Sequence, residues 1–209
     1  MAYPFPPKPS VQDAQQYVIL GAGLDTYACR ADNNATVYGV DLPEMQRWKR
    51  DCLQAANIAE PSTVCYVATF TTTDLLEDLQ QQGFNPGQPA CFSWLGVSMY
   101  LKPDEVMQTL REIAACAPGT SIVFDYCVHR RHLSEAERQG LDFVATSLAA
   151  QGEHLQSSFA PALLEHMLRQ FGFRDIEHFG PAQLTTRYRT KRSDGMRLSG
   201  IFRMIRATV

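Results

Sequence analysis

Short apolar runs alternate with amphipathic stretches along this chain, and that alternation limits its fold more than any other feature. Residues 17–20 form an apolar run that leads straight into Gly21-Ala22-Gly23. Residues 36–40 form a second, ending at Asp41. Further runs cover 63–68, 90–95 and 121–126. Between them lie helical patterns. One short helix follows Asp25, a residue placed to cap it. Pro43 opens the next, where a missing N–H costs nothing, and Met45, Trp48, Cys52, Leu53 and Ala56 make its apolar stripe. Others span 74–82, 103–114, 133–150 and 161–171, and two last strands cover 174–179 and 198–206. Strands alternating with helices predict a doubly wound α/β fold with a mainly parallel sheet. In such a sheet the ligand lies beyond the carboxyl ends of the strands.

Composition fits one globular domain. The chain has 209 residues, 45% hydrophobic and 20% charged. No apolar run approaches the ~20 residues of a membrane helix, and the first ten residues lack the pattern of a secretory signal. The six cysteines are scattered without a C-x-x-C pair, which points to a reducing, cytoplasmic setting. A net charge of −3 argues against a globally basic nucleic-acid binder. Seven basic residues and one acid between 187 and 206 nevertheless form a local cationic cluster. Residues 1–16, with prolines at 4, 6, 7 and 9, read as an extended arm before a domain at 17–209.

The carboxyl-edge rule selects the residues to weigh. Gly21 and Gly23 allow a tight turn and close backbone approach to a ligand. A full dinucleotide fingerprint needs a third glycine, and position 26 is Thr26. The turn alone therefore fits either a nucleotide-type ligand or a plain strand–helix connection. Asp41 ends the second strand, where a carboxylate can accept the two hydroxyls of a ribose or cap the helix that Pro43 opens. His129 and His132 follow the fifth strand, but no carboxylate or cysteine completes a metal set with them, so no metal is expected.

The segments QYVILGAGLDTYACR, VYGVDLPEMQRWKR, FSWLGVSMYL and PGTSIVFDY, then GEHLQSSFAPALLEHMLRQFGF and YRTKRSDGMR, occur in this order. In order and spacing they resemble the leucine carboxyl methyltransferase-like group of class I S-adenosylmethionine-dependent methyltransferases. The resemblance covers residues 15–209. It implies a seven-stranded sheet with the last strand antiparallel, and S-adenosylmethionine as cofactor. By position, Gly21, Ala22, Gly23 and Asp25 face the methionine end, and Asp41 with Leu42 matches the ribose-binding D-[LF]-P motif. Two positions depart from the family pattern. Thr69-Phe70 stands where many members have Asp-Leu or Asp-Phe against the adenine, and Leu95 stands where many have Glu. Phe70 and Leu95 can still pack on an adenine ring. Members also carry a longer segment before the first strand, with an arginine that grips the cofactor carboxylate.

Tyr100 and Tyr126, at the ends of the fourth and fifth strands, are candidate walls of an acceptor pocket or ordinary packing residues. If the sixth strand is parallel and the seventh antiparallel, the connection 180–197 returns to the carboxyl edge as a loop. Arg189 and Arg192 there could fork onto an acceptor carboxylate or simply face solvent. The expected function is methyl transfer to an oxygen, foremost a carboxylate, of a small-molecule or peptide-terminal acceptor. Such an acceptor needs positioning and exclusion of water rather than a base. A nicotinamide-dependent oxidoreductase and a catalytically impaired cofactor-binding or assembly module are the alternatives. Neither nucleic acid nor membrane is an expected partner, and an oligomer remains open.

Overall fold

A computed structural model of the chain describes residues 14–30, 35–68, 74–188 and 198–209. Seven strands form one sheet: β1 (Gln16–Leu20), β2 (Thr36–Asp41), β3 (Val64–Ala68), β4 (Cys91–Trp94), β5 (Ser121–Cys127), β6 (Asp175–Phe179) and β7 (Phe202–Thr208). Their order is β3-β2-β1-β4-β5-β7-β6. β7 runs antiparallel to both neighbours, and the other pairings are parallel. The doubly wound sheet with an antiparallel last strand is as the sequence implied. Chain order reverses between β1 and β4, which is the switch point where such sheets take ligands.

Helices α1 (Tyr27–Arg30), α2 (Pro43–Ala55), α3 (Leu75–Gln81), α4 (Pro103–Ala114), α5 (Glu135–Ala149), α6 (Pro161–Phe171) and α7 (Pro181–Tyr188) connect the strands. Prolines open α2, α4 and α6 at the first turn, where an N–H is dispensable. Gly172, at φ +113°, closes α6 in the left-handed conformation that glycine adopts without strain. Ser134 and Glu137 close a reciprocal box on α5. The Glu137 carboxylate accepts the Ser134 N–H at 2.9 Å, and the Ser134 Oγ accepts the Glu137 N–H at 3.4 Å.

The larger core lies on one face of the sheet. Val18, Leu20, Val40, Phe92, Trp94, Ile122, Phe124 and Ile205 meet Leu79, Leu110, Ile113, Leu164 and Leu168 there. A smaller cluster of Tyr17, Ile19, Ala22, Val37 and Cys91 fills the other face. β1 is buried along its whole length, as befits a strand with packing on both faces.

Three expectations change. α2 does not turn its Met45–Trp48–Cys52 side inward. Its buried residues are Gln46 and Leu53, and Trp48 is 51% exposed. The Gln46 amide donates to the carbonyls of Gly39 at 3.1 Å and Val67 at 2.7 Å, which rotates the helix away from its apolar stripe. The connection after β6 begins as the helix α7, because Pro181 can open a helix and the Gln183 side chain accepts the Gly180 N–H at 3.2 Å. β7 starts at Phe202 rather than near 198, because its pairing runs from Cys127↔Phe202 to Ser121↔Thr208 and matches all seven residues of β5. The first thirteen residues of the expected arm, along with Thr69, Phe70, Arg189 and Arg192, lie outside the described residues. No helix among the described residues is long and apolar enough to cross a membrane.

Candidate functional site at the carboxyl edge

Register places the candidate residues in a row. Val40 pairs with Leu20, Leu20 with Trp94, and Trp94 with Phe124. One residue further along, at the carboxyl edge, the same row holds Asp41, Gly21, Leu95 and Asp125. Val40 and Phe124 point into the larger core, so by strand alternation Asp41 and Asp125 project from the opposite face. The row thus has a carboxylate near each end, with a glycine and a leucine between them.

The glycine turn is braced on β2. The N–H groups of Gly21 and Ala22 both donate to the Val40 carbonyl, at 2.9 and 3.0 Å. Gly21 has φ +68°, and a Cβ there would sit 2.3 Å from the Val97 Cγ2. Glycine is required at that position on two counts, backbone conformation and space. A Cβ on Gly23 would meet nothing within 4 Å, so the turn is open above that residue.

Asp41 engages the turn directly. Its Oδ2 accepts the Gly23 N–H at 2.6 Å and its Oδ1 accepts the Leu42 N–H at 2.7 Å. Leu42, the residue before α2, has no side-chain acceptor to offer the helix N–H groups. Asp41 therefore ties β2 to the glycine turn rather than capping α2 itself. Each of its oxygens keeps a further lone pair for another donor. Asp25 accepts the Tyr27 N–H at 2.6 Å and so starts α1, as expected. Leu24, just after the glycine turn, and Leu95, within the row, are 46% and 38% exposed and put apolar surface at this edge.

Two residues of this site escaped the sequence reading. Lys49 on α2 is half-buried. Burial lowers its pKa, while Asp25, Cys29 and Asp41 pull it back up, so a cation stands within the field of both carboxylates. Asp125 is also half-buried. Burial raises its carboxyl pKa, and the hydrogen bond from the Gly96 N–H to Oδ1, 2.8 Å, works against that rise. Its carbonyl accepts the Ser98 hydroxyl. The available signal was a lone acid at the carboxyl end of an otherwise apolar strand, in the run SIVFDYC.

The two tyrosines part company. Tyr100, in the 3-10 turn Ser98–Tyr100, is half-buried, and its hydroxyl pKa is raised by burial and then by Glu153 and Asp125. Its carbonyl accepts the Gln156 side chain at 2.5 Å, and the Met99 carbonyl accepts the Gln156 N–H at 2.8 Å. The segment before α6 is thereby stitched to the end of β4. Tyr126 is wholly enclosed among core residues, its hydroxyl unpartnered among the described residues and its pKa pushed up to about 12 by burial. Its ring faces the core and lines no open surface.

A profile of the leucine carboxyl methyltransferase family matches residues 10–114, half of the chain. The chain belongs to that family. A Bacillus subtilis relative, YktD, named as an S-adenosyl-L-methionine-dependent methyltransferase, is 33% identical over 188 residues, covering 88% of this chain and 62% of that one. The chain thus spans less than two thirds of that relative's length. Among solved structures, a methyltransferase from Thermobifida fusca superposes with a TM-score of 0.61 at 21% identity, over 93% of this chain and 73% of that one. Human N-acetylserotonin methyltransferase, solved with S-adenosylmethionine, superposes with a TM-score of 0.54 at 16% identity, over 93% and 47%. At these identities the likeness is one of fold, the class I methyltransferase fold. In this family member the glycine turn, Asp41 and the end of β4 occupy the switch point.

Proposed function

We propose that this chain binds S-adenosylmethionine across the β2–β1–β4 edge and transfers its methyl group to an acceptor oxygen. One observation carries the reading: Asp41 is locked against the open glycine turn by the N–H groups of Gly23 and Leu42, with lone pairs left for a ribose diol. The residues fit such a ligand. The turn at Gly21–Gly23 admits close backbone approach, Asp25 and Lys49 bring charge to the end that would hold the amino-acid portion, and Leu42 and Leu95 offer apolar surface to the adenine. Family membership and the names of its relatives support the same cofactor.

When bound, the cofactor supplies a methyl group on a positively charged sulfur, which needs no further activation. The chain's part is to hold the ribose, align the acceptor and exclude water. The cationic cluster at 187–206 fits an anionic acceptor, and the two arginines proposed to grip it are Arg189 and Arg192. The Arg192→Ala change is expected to raise the acceptor KM or lower kcat and leave cofactor affinity nearly unchanged.

Calorimetric titration of the chain with S-adenosylmethionine, S-adenosylhomocysteine and NAD tests the reading. The first two are expected to bind one to one, and NAD not at all. Binding of NAD alone would favour the oxidoreductase reading, and binding of none would remove the site.

A further inference from the structure

α2 carries an apolar stripe that the fold leaves uncovered. Gln46 and Leu53 take the inward side of the helix. Met45, Trp48 and Cys52, at helical spacing, are left on the side away from the sheet. Trp48 is 51% exposed, and Cys52 is exposed beside it. A large aromatic ring held in water among apolar neighbours is typical of a contact surface.

The charges beside the stripe say what fits it. Arg47 and Asp51 are exposed and one turn apart on α2. Arg50 is engaged, bonded to Glu60 at 3.1 Å and lying 5.3 Å over the Tyr66 ring. Arg47 makes no ion pair with another described residue. Two α2 helices laid antiparallel, about a two-fold axis level with Lys49 and Arg50, set Arg47 of each opposite Asp51 of the other. The same axis sets Trp48 of each beside Cys52 of the other. The stripe and its charges are thus self-complementary, as a two-fold contact requires. A parallel pair would instead set Arg47 against Arg47 and Asp51 against Asp51. Size bears on the strength of the pair. α2 is only ~20 Å long, so helix against helix alone falls short of the roughly 800 Å² that each partner buries in a standard interface. An open cleft of about 470 Å³ beside α2, lined by Arg47, Arg50, Asp51, Gln54, Ile58 and Glu60, extends the contact, and Ile58 there is 44% exposed. Such a surface suits a weak, reversible dimer.

We propose that α2 is the docking face for a second copy of this chain, packed antiparallel on the partner's α2 with Trp48 at the centre. The inference stands apart from the S-adenosylmethionine reading. Trp48 also reports on it. The chain has two tryptophans, and the other, Trp94, is buried, so a concentration-dependent change in emission comes from Trp48.

The test is sedimentation equilibrium with tryptophan emission on the full chain, from about 1 to 200 μM. Reducing buffer keeps Cys52 from forming a disulfide. A monomer–dimer equilibrium with a Kd in the micromolar range is expected, with emission shifting to the blue as the dimer forms. Trp48→Glu is expected to weaken dimerisation by about tenfold or more. Arg47→Asp, which sets acid against acid, should weaken it too, and adding Asp51→Arg should restore it. Circular dichroism checks that each variant is folded. A parent that stays monomeric at the highest concentration would overturn the proposal. So would a dimer that survives Trp48→Glu, or emission already blue-shifted in the dilute monomer, which would show the stripe covered within one chain. A charge swap that fails to restore the dimer would overturn the antiparallel packing.

Discussion

At the residue scale, Gly21 and Asp125 show how the edge departs from what stability alone favours. Gly21 has φ +68°, and any Cβ on it would collide with Val97. Gly21→Ala is expected to lower stability by about 1–3 kcal/mol through backbone strain and overpacking. Adding Val97→Ala should recover only the steric part. Urea denaturation of the single and double variants checks this, and full recovery in the double variant would contradict the backbone component. Asp125 acts in the opposite direction. Its folded pKa is raised above the ordinary 3.8, so any stability it contributes is present below that value and is lost as pH rises through the folded one. Asp125→Asn should therefore leave the fold at least as stable as the parent near neutral pH, with a flatter stability–pH curve above pH 4. Thermal melts across that range read the difference, and a variant clearly less stable at neutral pH would contradict it. A charge that costs stability where it stands is what a functional position looks like.

At the element scale, the helices were legible where punctuation marks them and misread where a polar side chain decides the packing. α6 matches its expected span to the residue, because Pro161 and Gly172 bracket a clear apolar stripe. α2 was located correctly but rotated wrongly, because the Gln46 amide outcompetes the Trp48 side for the sheet. β1 begins at a buried glutamine that no hydropathy pattern would include. Gln16 donates to the Asn85 carbonyl at 3.0 Å and accepts the Asn85 N–H at 2.7 Å, so its burial leaves neither end of its amide unmet. α5 depends on a junction that only the folded chain reveals. Glu137 caps α5 and also accepts the Gly200 N–H at 2.9 Å, joining α5 to the approach to β7. Its pKa is lowered by the Ser134 backbone and hydroxyl, with a smaller contribution from the Gly200 N–H. A depressed carboxylate stabilises above its unfolded value, near 4.5, and that contribution is lost as pH falls through the folded value. Glu137→Gln should thus be less stable than the parent at pH 7, with the gap closing below pH 4.5. Equal melting points at pH 7 would show that the junction contributes nothing.

At the scale of the whole molecule, the sheet order was legible because each glycine turn and proline marks an element boundary, and chain connectivity then allows few arrangements. The row of edge residues was only half legible. Asp41 could be weighed from its place after a strand and before a proline, whereas Asp125 joins it only through the pairing of four strands. Position left Tyr126 open as a pocket wall or a packing residue, and its place on the core face makes it a packing residue. The account as a whole stands on Asp41 as the residue that holds the cofactor's ribose. The most direct measurement is the affinity of S-adenosylhomocysteine for the parent chain and for Asp41→Ala, with circular dichroism to confirm that the variant is folded. Loss of charge-assisted hydrogen bonds worth roughly 1.5–3 kcal/mol predicts a fall in affinity of about 10–150-fold. A folded Asp41→Ala chain that binds as tightly as the parent would contradict it.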